Sequence, residues 1–272
     1  MTFRTLDSAP LNEICMHPEV RPWLGFPETE ALKPIDLSLT VGNPNNFTFL
    51  TNHQDGAYVL VKLQQGLYAA HSLAKPSARG RPMLRLMREG FSTMFLSTDA
   101  IEIITQIPDG NDNAKGWSEL AGFRPTFRRE AFFPLMGETV GCQFLSLTYG
   151  DWVTKDRENL RMGRLFHERL DAQGVKVDHP DDAVHDSWVG ATICAAIRGN
   201  VSKGVALYNR YAVIAGYQPA SLISVTPPVV DTGNAVVSIE DGKLDVLSAV
   251  AQSAPQVQIG EPECRSAPGL PQ

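Results

Sequence analysis

Between Tyr58 and Phe123 the chain runs through an order of elements that few folds can accommodate. Two strand-like runs, Tyr58 to Leu63 and Gly66 to Leu73, lead into the basic loop Lys75-Pro76-Ser77-Ala78-Arg79-Gly80-Arg81-Pro82. Met83, Leu84, Met87, Phe91, Met94 and Phe95 then recur three and four residues apart, which predicts a helix with one apolar face turned inward and Arg85, Arg88 and Glu89 turned out. Ile101 to Ile107, rich in β-branched residues and closed by Pro108, predicts a buried strand. Asn111 opens a short helix as its N-cap, and Gly122 stops that helix just before Phe123.

The flanking sequence extends this core. Phe47 to Thr51 predicts a strand that Asn52-His53-Gln54-Asp55-Gly56 turns back, so an antiparallel meander precedes the basic loop. Further upstream, Thr2 to Thr5 reads as a first strand, and Ser8 or Asn12 starts a helical region interrupted by Pro18 and Pro22. Trp23-Leu24-Gly25-Phe26-Pro27 is an aromatic, proline-punctuated loop, and Leu32 to Asn46 reads as turns on either side of a short strand. Downstream, Thr126 to Phe133 alternates Phe127, Arg129 and Ala131 against Arg128, Glu130 and Phe132, and with Cys142 to Thr148 it supplies the last two strands. Asp151-Trp152 closes this domain.

Strand, basic glycine-containing loop, helix, strand and an Asn-led helix ending in Gly-Phe: this order resembles the core of the GNAT N-acetyltransferase superfamily over residues 1–152. The resemblance implies an α/β (α+β) fold with a mixed, mostly antiparallel sheet flanked by helices. It also implies a coenzyme A site, because a loop feeding a helix N-terminus aims free N–H groups at a pyrophosphate. The family's loop pattern falls on Arg79-Gly80-Arg81-Pro82-Met83-Leu84. Pro82 stands where the family has a glycine, and it has no N–H to donate, although proline is also ordinary punctuation in a first helical turn. Leu84 stands where the family has Gly or Ala. If coenzyme A binding is retained, the resemblance assigns it to Leu73, Arg79, Gly80, Arg81, Met83, Leu84, Asn111 and Ala114.

The second family signature falls on Asn111, Ala114, Ser118, Gly122 and Phe123. Ser118 occupies the place of a tyrosine that serves active members as general acid, and its hydroxyl is shorter. His71, near the end of the meander, is a candidate base with a pKa suited to amine deprotonation, or a hydrogen-bonded structural residue. Glu102 is either a second base or the polar face of an alternating strand.

Residues 153–250 read as a second module. Arg157 to Ala172 is an amphipathic helix with Leu160, Leu165, Phe166 and Leu170 inward. Val184 to Arg198, whose apolar residues Val184, Trp188, Val189, Ile193 and Ile197 want burial, forms a helical hairpin with a third helix marked by Val205, Tyr208, Ala212 and Ala215. Short strands at Val229-Val230, Ala235 to Ile239 and Leu244 to Val250 make a small meander, and 251–272 is an extended tail rich in Pro, Gly, Ser and Gln. His179, Asp181, Asp182, His185 and Asp186 have metal-ligand chemistry, but without a partner motif they read as an acidic loop and helix N-terminus, and no metal is expected.

A net charge of -6 argues against readout of nucleic acid or binding to anionic lipid. No run approaches the roughly 20 apolar residues of a membrane span, and Met1-Thr2-Phe3-Arg4 leads into no signal-like segment, so no membrane association is expected. The four cysteines fit no paired ligand spacing and read as reduced thiols of a cytoplasmic product.

Arg79-Gly80-Arg81, Phe95-Leu96-Ser97-Thr98-Asp99, Phe127-Arg128-Arg129-Glu130, Leu145-Ser146-Leu147 and Tyr208-Asn209-Arg210 together resemble GNAT-like, virion-associated proteins of tailed bacteriophages. That resemblance implies a structural component of the particle, made in the host cytoplasm, touching portal, tail or capsid proteins and copies of itself, with a degenerate acetyltransferase fold and no cofactor. With Pro82, Leu84 and Ser118 at the key places, this is the preferred expectation. The alternative is an active cytoplasmic N-acetyltransferase that takes acetyl-coenzyme A and an amine, with His71 or a water as base.

Overall fold

The structure, a computed structural model, describes residues 4–25, 33–135, 137–174 and 182–214. Six strands form one sheet, β1 (Phe47–Leu50), β2 (Gly56–Gln64), β3 (Leu67–Ala74), β4 (Glu102–Pro108), β5 (Arg124–Leu135) and β6 (Glu138–Thr148), in the order β1-β2-β3-β4-β6-β5. Every neighbouring pair is antiparallel except β3 and β4. This is the mixed, mostly antiparallel sheet flanked by helices that the sequence implies.

Strand periodicity decides which helix covers which face. On β2, Tyr58 and Leu60 enter one core with Tyr68 and Ala70 of β3. Ala57 and Val59, pointing the other way, enter a second core. The first is closed by α3 (Arg81–Ser97), whose Met83, Met87, Phe91 and Met94 are buried. Edge contacts join Phe91 to Tyr58 and to Phe123, each with ring centroids 5.5 Å apart. The second core is closed by Leu11, Ile14 and Cys15 of α1 (Ala9–Met16) and by Val41 of α2 (Ser38–Gly42).

Between α3 and β4, Asp99 ties the sheet together. Its carboxylate accepts from Lys62 Nζ at 2.8 Å, Tyr68 Oη at 2.6 Å and the Gly66 amide at 3.2 Å. Partial burial raises the pKa of this carboxyl, but those three donors outweigh burial and hold it at about 2. The Gly66 carbonyl accepts from the amides of Ile101 and Glu102 at 2.8 and 3.1 Å, which fixes where β4 starts against β3.

One core continues past the sheet. Tyr149, Trp152 and Val153 of α5 (Tyr149–Lys155) are buried in it together with Trp188, Ala191 and Ala195 of α7 (Asp182–Ile197) and Leu207 and Tyr211 of α8 (Val201–Ile214). Trp188 lies between Tyr149 and Tyr211, with centroids 5.8 and 5.7 Å away. All the described residues fall in one compact unit, and this core packs across the boundary expected after Trp152. The strands expected from Val229 onward and the 251–272 tail lie outside the described residues.

Several local expectations are corrected. Leu84 is only half-buried, because it sits about 100° round the helix from Met83, and Ile101 is 48% exposed at the start of β4. Leu32 to Asn46 contains the helix α2 and no strand among its described residues; Asp36 accepts from the Ser38 amide at 2.9 Å and turns the chain into it. Of the first strand, Thr2 and Phe3 lie outside the described residues, and Arg4 makes an isolated bridge to Phe49. In α6 (Arg157–Ala172) the buried residues are Asn159 and Gly163, while Leu165 is 40% exposed. The cause is a backbone crossing: a Cβ on Gly163 would overlap the Asp186 carbonyl, and one on Gly190 the Asn159 carbonyl. In α8, Leu207 and Tyr211 face inward, and Tyr208 is 40% exposed.

The simple alternation expected in β5 is also broken. Its register against β6 shifts between Arg129 and Phe133, and the extra residues put Phe132 beside Phe127 over Phe144. These irregularities, Pro125, Pro134, Arg128 and Arg129 keep the outer edge of the sheet from being a regular template for another strand.

Candidate active site

The site follows from how little β3 and β4 share. They pair only at Leu67 with Glu102, Tyr68 with Ile103 and Ala69 with Ile104. The Thr105 hydroxyl donates to the Ala70 carbonyl at 3.0 Å, and beyond that point the strands part. A cleft of about 950 Å3 fills the parting, with His71 to Ala74 on one side and Thr105 to Pro108 on the other.

α4 (Asp112–Ala121) forms the far wall. Asn111 caps it by accepting the Ala114 amide at 3.2 Å, and Gly122 ends it in the left-handed conformation. This geometry places Asn111, Ala114, Trp117 and Ser118 on the cleft, with Ser118 buried at 4% exposure. The near wall is built from α1, from a single 3₁₀ turn at Arg21–Leu24 and from Ile35 and Leu37. Trp23 of that turn comes within 3.9 Å of where a Cβ on Gly110 would lie, and the Phe133 ring closes on Gly25, 3.0 Å from an equivalent Cβ.

His71 is open to the cleft, and the walls around it disfavour the imidazolium and push its pKa below the ordinary value. A lowered pKa favours the neutral imidazole, the state a base requires. Cys15, also on the wall, is the opposite case: burial pushes its thiol up to about 11, with Arg21 opposing only in part, so it is not a nucleophile. Glu102 is outside the lining and accepts the Ser146 hydroxyl at 2.5 Å.

The expected phosphate loop is divided. Arg79 lines the cleft, but its guanidinium meets Glu19 Oε2 at 2.8 Å from the opposite wall. Lys75 of the same loop pairs with Glu13 at 2.5 Å, and Ser77 donates to Asp55 at 2.7 Å, so the loop is anchored on both sides. Gly80 adopts φ 85 and ψ -129, a backbone conformation reserved for glycine, and nothing lies within 4 Å of where its Cβ would be. Arg81 is exposed, Met83 is fully buried beneath the loop, and Leu84 is half-buried; these three and Gly80 fall outside the cleft lining.

Thus the cleft brings together Leu73, His71, Arg79, Asn111, Ala114 and Ser118, from segments far apart in the chain. Sequence reasoning missed Glu19 and Phe133. Neither sits in a recognisable pattern, whereas the Trp23 loop was at least marked by its aromatic and proline content. Among the described residues no group of three or more His, Cys, Asp and Glu side chains could hold a metal ion, and His179 and Asp181 lie outside them. No described helix is long and apolar enough to cross a membrane.

No family model matches the chain, and no curated protein matches its sequence. Among solved structures it is similar to the Vibrio cholerae spermidine N-acetyltransferase in complex with CoA and spermine, with TM-score 0.47 and 11% identity, covering 56% of this chain and 97% of that one. It is also similar to the ribosomal-protein-S5-alanine acetyltransferase of Vibrio fischeri, with TM-score 0.46 and 13% identity, covering 56% of this chain and 93% of that one.

Proposed function

We propose that this chain holds acetyl-coenzyme A in the parting between β3 and β4 and transfers the acetyl group to an amine. The observation that carries the reading is the parting itself: two parallel strands separate after three residue pairs and leave a cleft with a histidine on its wall. Beyond Ala70, β3 offers backbone groups that β4 does not use. Next in the chain after Arg79, outside the cleft lining, the first-turn amides of Arg81 and Met83 have no intrahelical partner and suit a phosphate, while Pro82 supplies none. The cradle fits a diphosphate, though it is thinner than a glycine-lined one, and Arg79 joins it on release from Glu19.

Acetyl-coenzyme A supplies an acyl carbon activated as a thioester. His71 takes one proton from the acceptor ammonium and frees the nitrogen lone pair. The new C–N bond replaces the C–S bond, the sulfur leaves and is protonated to the thiol, and the second ammonium proton is released to solvent. A thiol with pKa about 8.5 is a good leaving group near neutral pH, so Ser118 in place of a stronger acid is tolerable.

The test is a melting experiment combined with a thiol-release assay. A ligand at one hundred times its dissociation constant stabilises the fold by about 2.7 kcal/mol. An unshifted melting curve at millimolar acetyl-coenzyme A, with no thiol released in the presence of amines, would sink the reading.

Pro82 and the engaged Arg79 favour a second reading, in which the fold is a building block of a tailed-phage particle, in contact with other virion proteins and copies of itself. Mass spectrometry of purified particles separates the two. Stoichiometric recovery supports the structural role, and absence from particles while present in infected-cell lysate removes it.

A further inference from the structure

The two halves of the cleft differ in chemistry. Its α4 side carries the polar groups Gln106, Asn111, Asp112, Asn113 and Ser118 interleaved with Ala114 and Trp117. Its other side, under the Arg21–Leu24 turn, is walled by Trp23, Leu24, Ile35, Leu37, Val61 and Phe133, all half-buried and so still presenting surface to the space between them. Leu24, Ile35, Leu37 and Val61 rest on the α1 core, which gives this side a fixed floor. Trp23 reaches toward the β4–α4 loop and Phe133 toward Gly25, so two aromatic side chains from distant segments roof the same chamber.

His71 stands on the floor side of β3, opposite Val59 in the β2 ladder, and so on the same sheet face as the chamber. Among the described lining residues the carboxylates are Glu19, committed to Arg79 at 2.8 Å, and Asp112 on the polar side. A polycation would lay its second ammonium against apolar walls with no free carboxylate there, and an unpaired charge in such a place is costly.

We infer that this chamber takes the body of the acceptor, and that the acceptor is a monoamine on an uncharged, apolar, ring-bearing body whose nitrogen is delivered to His71. The inference rests on the acetyl-transfer reading for its chemistry and on the chamber alone for its specificity. The reaction is R–NH3+ plus acetyl thioester giving R–NH–acetyl, free thiol and one proton.

The experiment measures thiol release from acetyl-coenzyme A with 2-phenylethylamine and with spermidine, using the full chain and its Trp23→Ala and Trp23→Phe variants. Discrimination by an apolar pocket predicts kcat/KM for 2-phenylethylamine at least ~10-fold above that for spermidine. Trp23→Ala erases most of that ratio through KM, and Trp23→Phe keeps it. Spermidine as the better acceptor overturns the inference and leaves the transfer reading standing. If no amine releases thiol, equilibrium dialysis of 2-phenylethylamine decides. Binding that Trp23→Ala weakens about tenfold sustains the chamber without the transfer, and no binding overturns the chamber as well.

Discussion

Replacing Trp188 by alanine tests whether the helices after Trp152 belong to the same cooperative unit as the sheet. Trp188 is 2% exposed and its ring lies against Tyr149, which follows β6 directly, and against Tyr211 of α8. Truncating a buried tryptophan to alanine costs ~3–5 kcal/mol, from lost transfer energy plus the cavity left behind. For a domain of ~150–250 residues each kcal/mol moves the melting temperature by ~2–4 °C, so the expected fall is ~6–20 °C. Because Tyr149, Trp152 and Phe95 share the same core, the whole transition should move as one, in calorimetry and in the near-ultraviolet signal alike. A fragment ending at Trp152 would expose those rings and should aggregate or melt without cooperativity. Two transitions in the parent protein, only the weaker of which responds to Trp188→Ala, would refute the reasoning and restore a boundary after Trp152.

Glu19→Gln should free Arg79 and tighten binding of coenzyme A; the pair is substantially exposed, 34% for Arg79 and 56% for Glu19, so the gain is at most ~1 kcal/mol, or about fivefold. Titration calorimetry at two salt concentrations measures it, and weaker binding would show that Glu19 positions Arg79 for the ligand instead of competing with it. His71 has a folded pKa below its ordinary value, so between the two pKa values the unfolded chain binds more protons. Stability from this group is complete above the ordinary histidine pKa and falls as pH drops toward the folded one. His71→Gln should flatten that part of a urea-denaturation pH series and remove the acid limb of acetyl transfer, and an unchanged limb assigns the base elsewhere. Asp99, held at about 2, contributes stability present above the ordinary aspartate value and lost as pH falls toward 2. Asp99→Asn should destabilise the protein at neutral pH and abolish this acid-side slope, while a slope that survives would assign it to other carboxylates.

What could be read from the sequence was what short-range physics decides. The β1 to β3 meander, the α3 face carrying Met83, Met87 and Phe91, and the Asn111 cap each depend on residues within a few turns of one another. The α6 face was misread because its leucines carry the hydrophobic signal, while the contact is decided by Gly163 and Gly190, whose lack of side chains lets two backbones touch. The Arg79–Glu19 pair spans sixty residues and leaves no periodic trace, so a loop whose composition suggested an anion site proved to be already engaged. That Phe133 closes on Gly25, two residues after Trp23, depends on β5 meeting a segment more than a hundred residues earlier, which no local pattern records.

The three-rung junction between β3 and β4 also makes the molecule a lever. The β1 to β3 ladder and the β4, β6 and β5 ladder are two rigid jaws, and the stitch at Leu67–Ala69 with the Asp99 knot beside it is their pivot. The Phe91 ring touches Tyr58, which pairs with Ser72 on the cleft side of the pivot, on one jaw and Phe123, which leads into β5, on the other, so it is a spacer between the jaws. A bulkier or smaller side chain at position 91 would therefore change how wide the jaws rest where the cleft begins.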